Sequence, residues 1–446
     1  MDVLRRIWAL ALALALLCAV CPAAMAGGAI ETVRILLQSL QLTDRCDLYI
    51  SGPYTAECQG TEVFLPDGSH AVASLREGTV FLHIGGVGIR AGNRLTLRRN
   101  ASDTTCGIRF TEGGNLYPGD LCLTLADGCL RAVLTVSVED YLPGVVPYEM
   151  ADSFPIEALK AQAVCARTYA LSRRDSSREW DMTDTTADQV YRGTNIANTR
   201  AASAVSQTTG VVAMVNGGFA VCYYSASNGG RTEIPQNVWG GTDAPACYAV
   251  MDDPYDLANP ESPVKRARLR SDCSGLPDGL TSLVAQRIAG EMQRQGYLTG
   301  AADLRLDMIS SVSLGDGNDR YPATTLTMTV WWSGKRADSQ GAFIPAPEAS
   351  TVTISLYPEG IQALNLSIAG LNNELISLVA EDGSWLLEAR RYGHGVGMSQ
   401  RGAQYLAEQR NASFDQILNF YFPGIQLMVG GTVQAAAPTA RAALAV

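Results

Sequence analysis

The sequence predicts an α+β fold: a β-rich, exported protein of several parts with a central helical segment. Residues 30–136 contain short β-branched runs between glycine turns such as Gly85-Gly86, which is typical of a small β module. Residues 137–173 change to an Ala-rich helical pattern, and apolar residues alternate again between 305 and 380. A chain of 446 residues accommodates two or three such parts.

Residues 1–26 predict an export signal. Two arginines precede an apolar run over residues 7–20, and residues 24–26 (Ala-Met-Ala) have the small-x-small spacing of a cleavage site. The apolar run is also close to the ~20 residues that span a bilayer, so an uncleaved N-terminal anchor is the alternative. We therefore expect a protein that is exported across the membrane and is secreted, held in the cell wall or membrane-anchored.

The composition argues against nucleic acid as a partner. The formal net charge is -10, and no cluster of lysine and arginine offsets it. Because proteins bind the phosphate backbone through basic side chains, a chain of this charge repels nucleic acid. With 47% apolar and 17% charged residues, the chain has the composition of an ordinary globular protein rather than a disordered one.

The cysteine count leaves at least one thiol outside intrachain disulfides. Of eleven cysteines two lie in the predicted leader, so nine remain, an odd number. Export would permit disulfides, and Cys46/Cys58 and Cys122/Cys129 are the closest pairs in sequence. Cys165 lies in an apolar helical stretch and is predicted to be a buried free thiol that takes no part in function.

The central helical segment is predicted in two parts, over residues 138–149 and 155–173. Two prolines should make the first part irregular. Ser137 is predicted to cap the first helix. Asp152 or Ser153 is predicted to cap the second, which has a proline and a glutamate in its first turn.

The remaining chain is predicted to alternate between strands and helices. The predicted elements are a hairpin over 211–224 that turns at Asn216-Gly217-Gly218, a helix over 275–297, a β-rich stretch over 305–380, and helices near 400–409 and 413–421. The Ala-, Thr- and Pro-rich end predicts a disordered tail. The predicted parts are the leader 1–26, a β module 30–136, a region 137–428 that carries the candidate site, and the tail 429–446.

Glu149 is the first candidate for chemistry. It ends an apolar segment just before the second predicted helix, and a carboxyl group in apolar surroundings has the raised pKa that a general acid near neutral pH requires. On that helix Lys160 and Arg167 share one face, and Gln162 and Tyr169 share another. From periodicity alone, the alternative is that these are solvated helix positions and that Glu149 is a surface residue at a helix end.

Two glycine-rich segments are further candidates. The first contains Ser227, Asn228, Gly229, Gly230, Thr232 and Trp239, and the second contains His394, Ser399 and Gln400. Short hydroxyl groups beside paired glycines allow a ligand to approach the backbone closely, and a tryptophan offers a flat face to a sugar ring. A plain turn and a structural histidine are the alternatives.

Together these segments resemble the stage II sporulation protein D family, also called the SpoIID/LytB or amidase-enhancer family. The matching residues are Gly144-Val-Val-x-x-Glu-Met150, Glu157-Ala-Leu-Lys-Ala-Gln-Ala163 with Ala166-Arg-Thr-Tyr169, the Ser-x-Gly-Gly-x-Thr type loop at 227–232, and Gly393-His-Gly-Val-Gly-Met-Ser-Gln400. The resemblance covers about residues 130–425 and leaves the front β module and the tail outside it.

The resemblance implies a lytic transglycosylase that degrades peptidoglycan glycan strands between N-acetylmuramic acid and N-acetylglucosamine, with Glu149 as the catalyst. One carboxyl group suffices, because it first donates a proton to the glycosidic oxygen and then accepts one from the muramic 6-hydroxyl. We expect the other candidates named above to bind the glycan. The second family name suggests an alternative, a non-catalytic wall-binding protein that stimulates a partner amidase, in sporulation or in vegetative wall turnover.

Some family members resemble metal-binding proteins, through a histidine before the Ser-x-Ser-Gly-Gly loop together with cysteines. Here Ser225 stands at the position of that histidine, while Cys222 and Cys247 lie nearby. Two cysteines without the histidine do not make a tetrahedral zinc set, so we predict no cofactor. At this pair a zinc ion and a disulfide both stay open, and a metal-dependent hydrolase is the third functional interpretation.

Overall fold

The computed structural model describes residues 31–241, 246–429 and 432–433. The predicted leader lies outside the described residues, as does nearly all of the predicted tail. The chain divides into two compact units, Met1–Tyr141 with Arg174–Asp184, and Leu142–Arg173 with Thr185–Val446. Within the described residues, no helix has both the length and the apolar character that crossing a membrane requires.

The described part of the first unit consists of two β-sheets and a short helix α1 (Val138–Tyr141). Its strands are β1 (Thr32–Leu36), β2 (Arg45–Ser51), β3 (Tyr54–Cys58), β4 (Thr61–Leu65), β5 (His70–Arg76), β6 (Thr79–Ile84), β7 (Val87–Gly92), β8 (Arg94–Arg99), β9 (Gly107–Arg109), β10 (Asp120–Ala126), β11 (Cys129–Ser137) and β12 (Met182–Thr183). The sheet orders are β12-β1-β11-β10-β8-β3-β4 and β7-β6-β5-β2-β9. A 3-10 turn, Gln38–Leu40, follows β1.

The two sheets of the first unit pack face to face around an aliphatic core. Buried and half-buried residues alternate along β11, where Leu130, Ala132, Leu134 and Val136 point inward. Because side chains alternate between the two faces of a strand, this pattern buries one face of the sheet. Residues 174–184 also belong to this unit, since β12 runs parallel to β1.

The second unit combines helices with four small sheets in its described part. Its helices are α2 (Val146–Glu149), α3 (Ile156–Ser172), α4 (Thr199–Gln207), α5 (Pro235–Trp239), α6 (Pro254–Ala258), α7 (Asp278–Arg294), α8 (Ile361–Ala363), α9 (Gln400–Gln409) and α10 (Phe414–Tyr421). Shorter turns are Leu142–Gly144, Ala301–Asp303 and Leu356–Gly360. The predicted α+β fold class is confirmed.

The strands of the second unit form separate sheets around these helices. They are β13 (Val211–Val215), β14 (Gly218–Phe219), β15 (Tyr224–Ser225), β16 (Val264–Arg270), β17 (Leu304–Gly315), β18 (Thr325–Lys335), β19 (Phe343–Pro345), β20 (Ser350–Ser355), β21 (Leu375–Glu381), β22 (Ser384–Arg390), β23 (Met398–Ser399), β24 (Gln426–Val429) and β25 (Thr432–Val433). The orders are β14-β13-β24-β25, β15-β23 and β16-β22-β21, and β18 lies between β17 on one edge and β19 and β20 on the other.

Helix α3 lies at the centre of the second unit. Every residue from Ala161 to Ala170 is buried, and α4, α9, α10 and β13 all pack against the helix. A helix that is covered on all sides needs small side chains so that its neighbours can approach, which explains the Ala-rich sequence. The described helix, Ile156–Ser172, agrees with the predicted range.

The capping predictions have different outcomes. Ser137 accepts a hydrogen bond from the amide of Asp140 at 3.1 Å, as predicted. The predicted cap of α3 is wrong, because α3 has no side-chain cap and starts after Pro155, whose fixed φ suits this position. Asp152 instead accepts a hydrogen bond from the amide of Ala201 at 2.7 Å and so caps α4, a helix that the sequence did not predict.

The predicted hairpin is confirmed at its turn, where Asn216 and Gly217 have φ values of 50° and 80°. Its second strand is shorter than predicted and ends at Phe219. Further along, Tyr224 and Ser225 pair in parallel with β23 instead. The pairing therefore brings the first glycine-rich segment beside the second.

The nine cysteines within the described residues are all free thiols. Neither Cys46/Cys58 nor Cys122/Cys129 is bonded, so closeness in sequence did not produce a disulfide. Cys46 and Cys58 are buried, and burial raises the pKa of both thiols.

Candidate active site

The Glu149 carboxyl group is half-buried at the end of α2. Its Oε1 atom accepts a hydrogen bond of 3.0 Å from the backbone amide of Val190. Burial raises the pKa of Glu149 above its usual value, and the Val190 amide opposes part of that rise. Burial therefore affects the pKa of Glu149 more than the single hydrogen-bond donor does. A general acid near neutral pH requires a carboxyl group with such a raised pKa.

Gly144 packs closely against residues 190–193, and this packing fixes the position of Val190. The Gly144 carbonyl accepts a hydrogen bond from the Arg192 amide at 3.0 Å. A Cβ atom on Gly144 would lie 2.5 Å from the ring of Tyr191, which is fully buried. Glycine therefore lets residues 190–193 lie directly on the turn that leads into α2.

A pocket of about 410 Å³ lies beside this segment. It is lined by Tyr169, Arg173, Thr186, Ala187, Asp188, Gln189, Cys222, Tyr223, Tyr224, Trp239 and His394. Glu149 is not among these residues, but Gln189 in the wall directly precedes Val190, which holds the carboxylate. The side-chain amide of Gln189 donates hydrogen bonds to the Ala166 carbonyl at 3.3 Å and to the Tyr224 hydroxyl at 3.2 Å, which fix its position.

Aromatic rings cover one side of the pocket. The ring of Trp239, which is 52% exposed, lies 4.7 Å from the ring of Tyr223 and 5.1 Å from that of His394. Tyr169 contacts Tyr223 edge-on at 6.0 Å. Three of the predicted binding residues, Tyr169, Trp239 and His394, are thus brought together, although they are far apart in sequence.

His394 is held as a neutral side chain. Its Nδ1 atom accepts a hydrogen bond from the Val396 amide at 3.0 Å, and the backbone of Tyr224 also hydrogen-bonds the ring. Burial lowers the pKa of His394 to about 4, despite the opposing effect of Tyr224. The ring is therefore uncharged at neutral pH, which fits a role in positioning rather than in proton transfer.

The Ser227 loop, whose side chains the sequence predicted to bind substrate, is buried around Asp256. The Asp256 carboxylate accepts hydrogen bonds from the Ser227 hydroxyl at 2.8 Å, the Asn228 amide at 2.6 Å and the Ser399 hydroxyl at 2.7 Å. All three donors belong to residues with no exposed surface. These motif side chains therefore join the two glycine-rich segments to each other.

A second buried carboxylate, Asp253, extends the network. It accepts hydrogen bonds of 2.7 Å from the side-chain amide of Asn228 and from the Tyr421 hydroxyl. It also caps α6, because its carboxylate accepts hydrogen bonds from the backbone amides of Tyr255 and Asp256. Burial, followed by the charge of Asp256, raises the pKa of Asp253 to about 6.

The other residues of the loop are also packed inside the fold. A Cβ atom on Gly229 would lie 2.8 Å from the backbone nitrogen of Arg391, and one on Gly230 would lie 2.4 Å from the Leu257 side chain. The Thr232 hydroxyl donates to the Ala249 carbonyl at 2.7 Å. Close internal packing, rather than approach of a ligand, explains why these positions carry small side chains.

The predicted binding residues on α3 are likewise engaged within the protein. Arg167 is 1% exposed, and its guanidinium donates to the carbonyl oxygens of Val211 at 3.2 Å and Val205 at 3.4 Å. Lys160 forms an ion pair of 2.7 Å with Glu157. Arg167 thus holds the end of α4, and its burial favours an internal role over the predicted substrate contact.

Gln162 and Gln400 form a buried contact between α3 and α9. The Gln400 side-chain amide donates to Oε1 of Gln162 at 3.3 Å. The Nε2 atom of Gln162 is buried without a hydrogen-bond partner, although a buried amide usually has one. Both residues had been predicted to bind glycan, and their burial favours an internal role.

Three buried thiols lie near one another, and one of them, Cys222, lines the pocket. Cys165, Cys222 and Cys247 are all completely buried, and a hydrogen bond to Cys165 together with burial raises the pKa of Cys222. The disulfide between Cys222 and Cys247 that the sequence left open is not formed. Ser225, at the position of the family histidine, packs against Gly393. The described residues contain no group of three or more His, Cys, Asp or Glu side chains placed to hold a metal ion.

The sequence did not single out Asp188, Asp253, Asp256 or Tyr223. An Asp253-Pro254 pair is a typical helix start, with aspartate as the cap and proline as the first helical residue, and could have predicted α6. Nothing in the local sequence indicated that Asp253 and Asp256 are buried.

The fold and site define an α+β protein with a half-buried carboxyl group beside an aromatic pocket. A family model described as Stage II sporulation protein (SpoIID) matches residues 126–214. Over these residues the chain is similar to the stage II sporulation protein D family.

Three relatives are similar to this chain over a larger part of its length. Over 295 residues the chain is 31% identical to the Amidase enhancer of Bacillus subtilis (strain 168), and the match covers 64% of this chain but 40% of that protein. It is 27% identical over 395 residues to an uncharacterized protein of Brachyspira hyodysenteriae, and the match covers 87% of this chain and 92% of that protein. It is 24% identical over 315 residues to Stage II sporulation protein D of Bacillus subtilis, and the match covers 67% of this chain and 76% of that protein.

Proposed function

We propose that this protein remodels peptidoglycan in the cell wall as a lytic transglycosylase, cleaving glycan strands between N-acetylmuramic acid and N-acetylglucosamine. The observation that carries the proposal is the Glu149 carboxyl group. Burial raises its pKa, and its hydrogen-bond donor, Val190, directly follows a residue of the aromatic pocket wall. We further propose that glycan rings pack against Trp239.

In the proposed reaction Glu149 acts twice. Protonated Glu149 gives its proton to the glycosidic oxygen as the bond from this oxygen to muramic C1 breaks, and N-acetylglucosamine leaves with a free hydroxyl group. The carboxylate then accepts the proton of the muramic 6-hydroxyl as that oxygen bonds to C1 and closes the 1,6-anhydro ring. Glu149 ends protonated, no water is consumed, and no second carboxylate is needed to activate one.

The names of the relatives support the broader role. The name Stage II sporulation protein D points to sporulation, and the name Amidase enhancer points to a partner amidase. We extend this role to the present chain, together with export across the membrane and the use of glycan strands as substrate. A partner amidase in wall remodelling is part of the same proposal.

A non-catalytic enhancer of a partner amidase is the second candidate. The observation that favours it is the burial of much of the motif, since Ser227, Asn228 and Ser399 bind Asp256 inside the fold. A motif that builds a scaffold can serve a binding protein as well as an enzyme. The two candidates differ in whether Glu149 performs chemistry.

Mass spectrometry of digested glycan strands tests the proposal. The wild type and a Glu408→Gln variant, which alters an exposed glutamate, should release anhydro-muramic ends. Glu149→Gln should lower that release by about 100-fold or more, because it removes a general acid. If the wild type releases none, and Glu149→Gln stimulates a partner amidase as well as the wild type does, the enhancer function is correct.

A further inference from the structure

Asp188 brings a second carboxyl group to the wall of the aromatic pocket. The residue lines the pocket, and its side chain is 12% exposed. Its Oδ1 atom accepts a hydrogen bond from the Tyr169 hydroxyl at 3.2 Å and lies 3.7 Å from the guanidinium of Arg173. Both partners are also wall residues. The proposed steps at Glu149 do not involve this carboxylate.

The chain itself limits how far Asp188 can lie from Glu149. The amide of Val190, two residues after Asp188, donates to Oε1 of Glu149 at 3.0 Å. Because successive Cα atoms are about 3.8 Å apart, the Cα atom of Asp188 lies within about 9 Å of that oxygen. Pairs of carboxyl groups about 5–9.5 Å apart flank one glycosidic bond in many enzymes that cleave sugars. A single sugar unit can therefore lie close to both residues.

The two carboxyl groups have different surroundings. Burial favours the protonated form of Glu149 by raising its pKa. Asp188 instead has a cation and a hydroxyl donor beside it, in Arg173 and Tyr169, and such partners stabilise a carboxylate. Carboxyl groups in contrasting environments suit different roles. Glu149 is suited to giving a proton, and Asp188 is suited to keeping a negative charge.

The Asp188 carboxylate is also held in place on both sides along the chain. Its own backbone amide donates to the Thr185 carbonyl at 3.1 Å, which closes a turn. The next side chain, that of Gln189, donates to the Ala166 carbonyl at 3.3 Å and to the Tyr224 hydroxyl at 3.2 Å. A charge that is fixed before the reaction stabilises a transition state without reorganisation.

The proposed reaction creates a positive charge that such a carboxylate would stabilise. When the bond between muramic C1 and the glycosidic oxygen breaks, positive charge develops on C1 and the ring oxygen. The charge disappears when the 6-hydroxyl oxygen bonds to C1. A negative charge beside the muramic ring lowers the barrier because it acts while this charge exists.

We propose that the Asp188 carboxylate stabilises the positive charge that develops on the muramic ring as the glycosidic bond breaks. Asp188 forms no bond to C1 and activates no water, and every proton moves through Glu149 as described above. Arg173 offsets part of the negative charge. This inference rests on the proposed function, since it concerns the same reaction.

Kinetics of Asp188→Asn give the first test. Asparagine keeps the shape of the side chain and removes its charge, so kcat should fall about 100-fold while KM changes by less than about twofold. Asp338→Asn alters an exposed aspartate in the turn after β18 and changes the net charge equally. It should leave both constants unchanged. A raised KM with unchanged kcat in Asp188→Asn would make Asp188 a binding residue only and refute the proposal.

Titration calorimetry with two disaccharides gives a test without turnover. The first is N-acetylglucosamine joined to 1-deoxy N-acetylmuramic acid, which has no bond at C1 to cleave. The second is the same compound with a protonated nitrogen in place of the ring oxygen. Both carry the same muramic carboxylate, so they differ by one positive charge on the ring. All proteins carry Glu149→Gln, so that the acid contributes no charge.

The ratio of the two affinities reports the charge at Asp188. The ratio should favour the cationic compound, and adding Asp188→Asn should lower it about tenfold, whereas adding Asp338→Asn should not change it. Arg173→Met should raise the ratio several-fold, which keeps the test valid if Asp188→Asn fails to fold. An unchanged ratio in Asp188→Asn, or in Arg173→Met, would overturn the role of Asp188. If neither compound binds, the pocket takes no muramic glycan and the proposed function itself fails.

Discussion

The backbone amide of Val190 donates a hydrogen bond of 3.0 Å to the Glu149 carboxylate, while burial of the same carboxyl group favours its protonated form. The two effects act in opposite directions on the same pKa, and burial is the larger. Glu149 therefore keeps its proton to higher pH than an exposed glutamate, while its ionised form retains a donor. Such a group can both give and take a proton.

The alkaline side of the pH profile should report the raised pKa of Glu149. Because the donor must be protonated at the start, kcat/KM should fall by about tenfold per pH unit once the pH exceeds that pKa. Measuring kcat/KM on purified glycan strands between pH 4 and pH 9 checks this. A decline centred on the pKa of an exposed glutamate, about 4.3, would contradict the account.

His394 should not contribute to that profile. Burial lowers the pKa of His394 to about 4, so the ring stays neutral at every pH where the usual value near 6.5 would matter. His394→Asn should lower turnover and leave the shape of the pH profile between pH 5 and pH 8 unchanged. If this variant removed an inflection near pH 6.5, His394 would be a proton carrier instead.

Arg167 should be needed for stability rather than for substrate. Arg167→Met removes the charged donor from the carbonyl groups of Val205 and Val211, at a cost of about 3 kcal/mol in the free energy of unfolding. Denaturant titration measures this loss, and turnover per folded molecule should be unchanged.

The matched variant Arg173→Met changes an arginine that lines the pocket. It should raise KM with little effect on stability. If the two variants exchanged these effects, the placement of Arg167 in the scaffold would be wrong.

Asp253 should make the protein less stable as the pH rises. Its pKa is raised from 3.8 to about 6 in the fold, so its contribution is complete below pH 3.8 and is lost as the pH rises through 6. Two pKa units correspond to about 3 kcal/mol in the free energy of unfolding. Denaturant midpoints at pH 4 and pH 7 should show that loss in the wild type relative to Asp253→Asn. Parallel pH dependence in the two proteins would refute it.

The sequence was sufficient where local pattern decides the structure. The apolar segment ending in Glu149, the Ala-rich helix α3 and the helix from Gln400 to Gln409 were all predicted with their bounds. Each depends on periodicity or on proline and capping residues, which act within a few positions along the chain. The resemblance to a family was also detectable, because the motifs that carry it are contiguous.

The sequence was insufficient where distant segments meet. Ser227 and Asn228 look the same whether they face a ligand or a buried carboxylate, and the partner that decides, Asp256, lies 28 or more residues away. Asp152 likewise caps α4 rather than the adjacent α3, because tertiary contact selects the amides that it reaches. Burial of a polar side chain depends on such partners and is not written in local periodicity.

Digestion of purified glycan strands in water enriched in oxygen-18 tests the central claim most directly. If Glu149 closes the anhydro ring, the muramic ends should carry no heavy oxygen and should be lighter than hydrolytic ends by one water. Incorporation of heavy oxygen at muramic C1 would show that water is the nucleophile and would contradict the role assigned to Glu149.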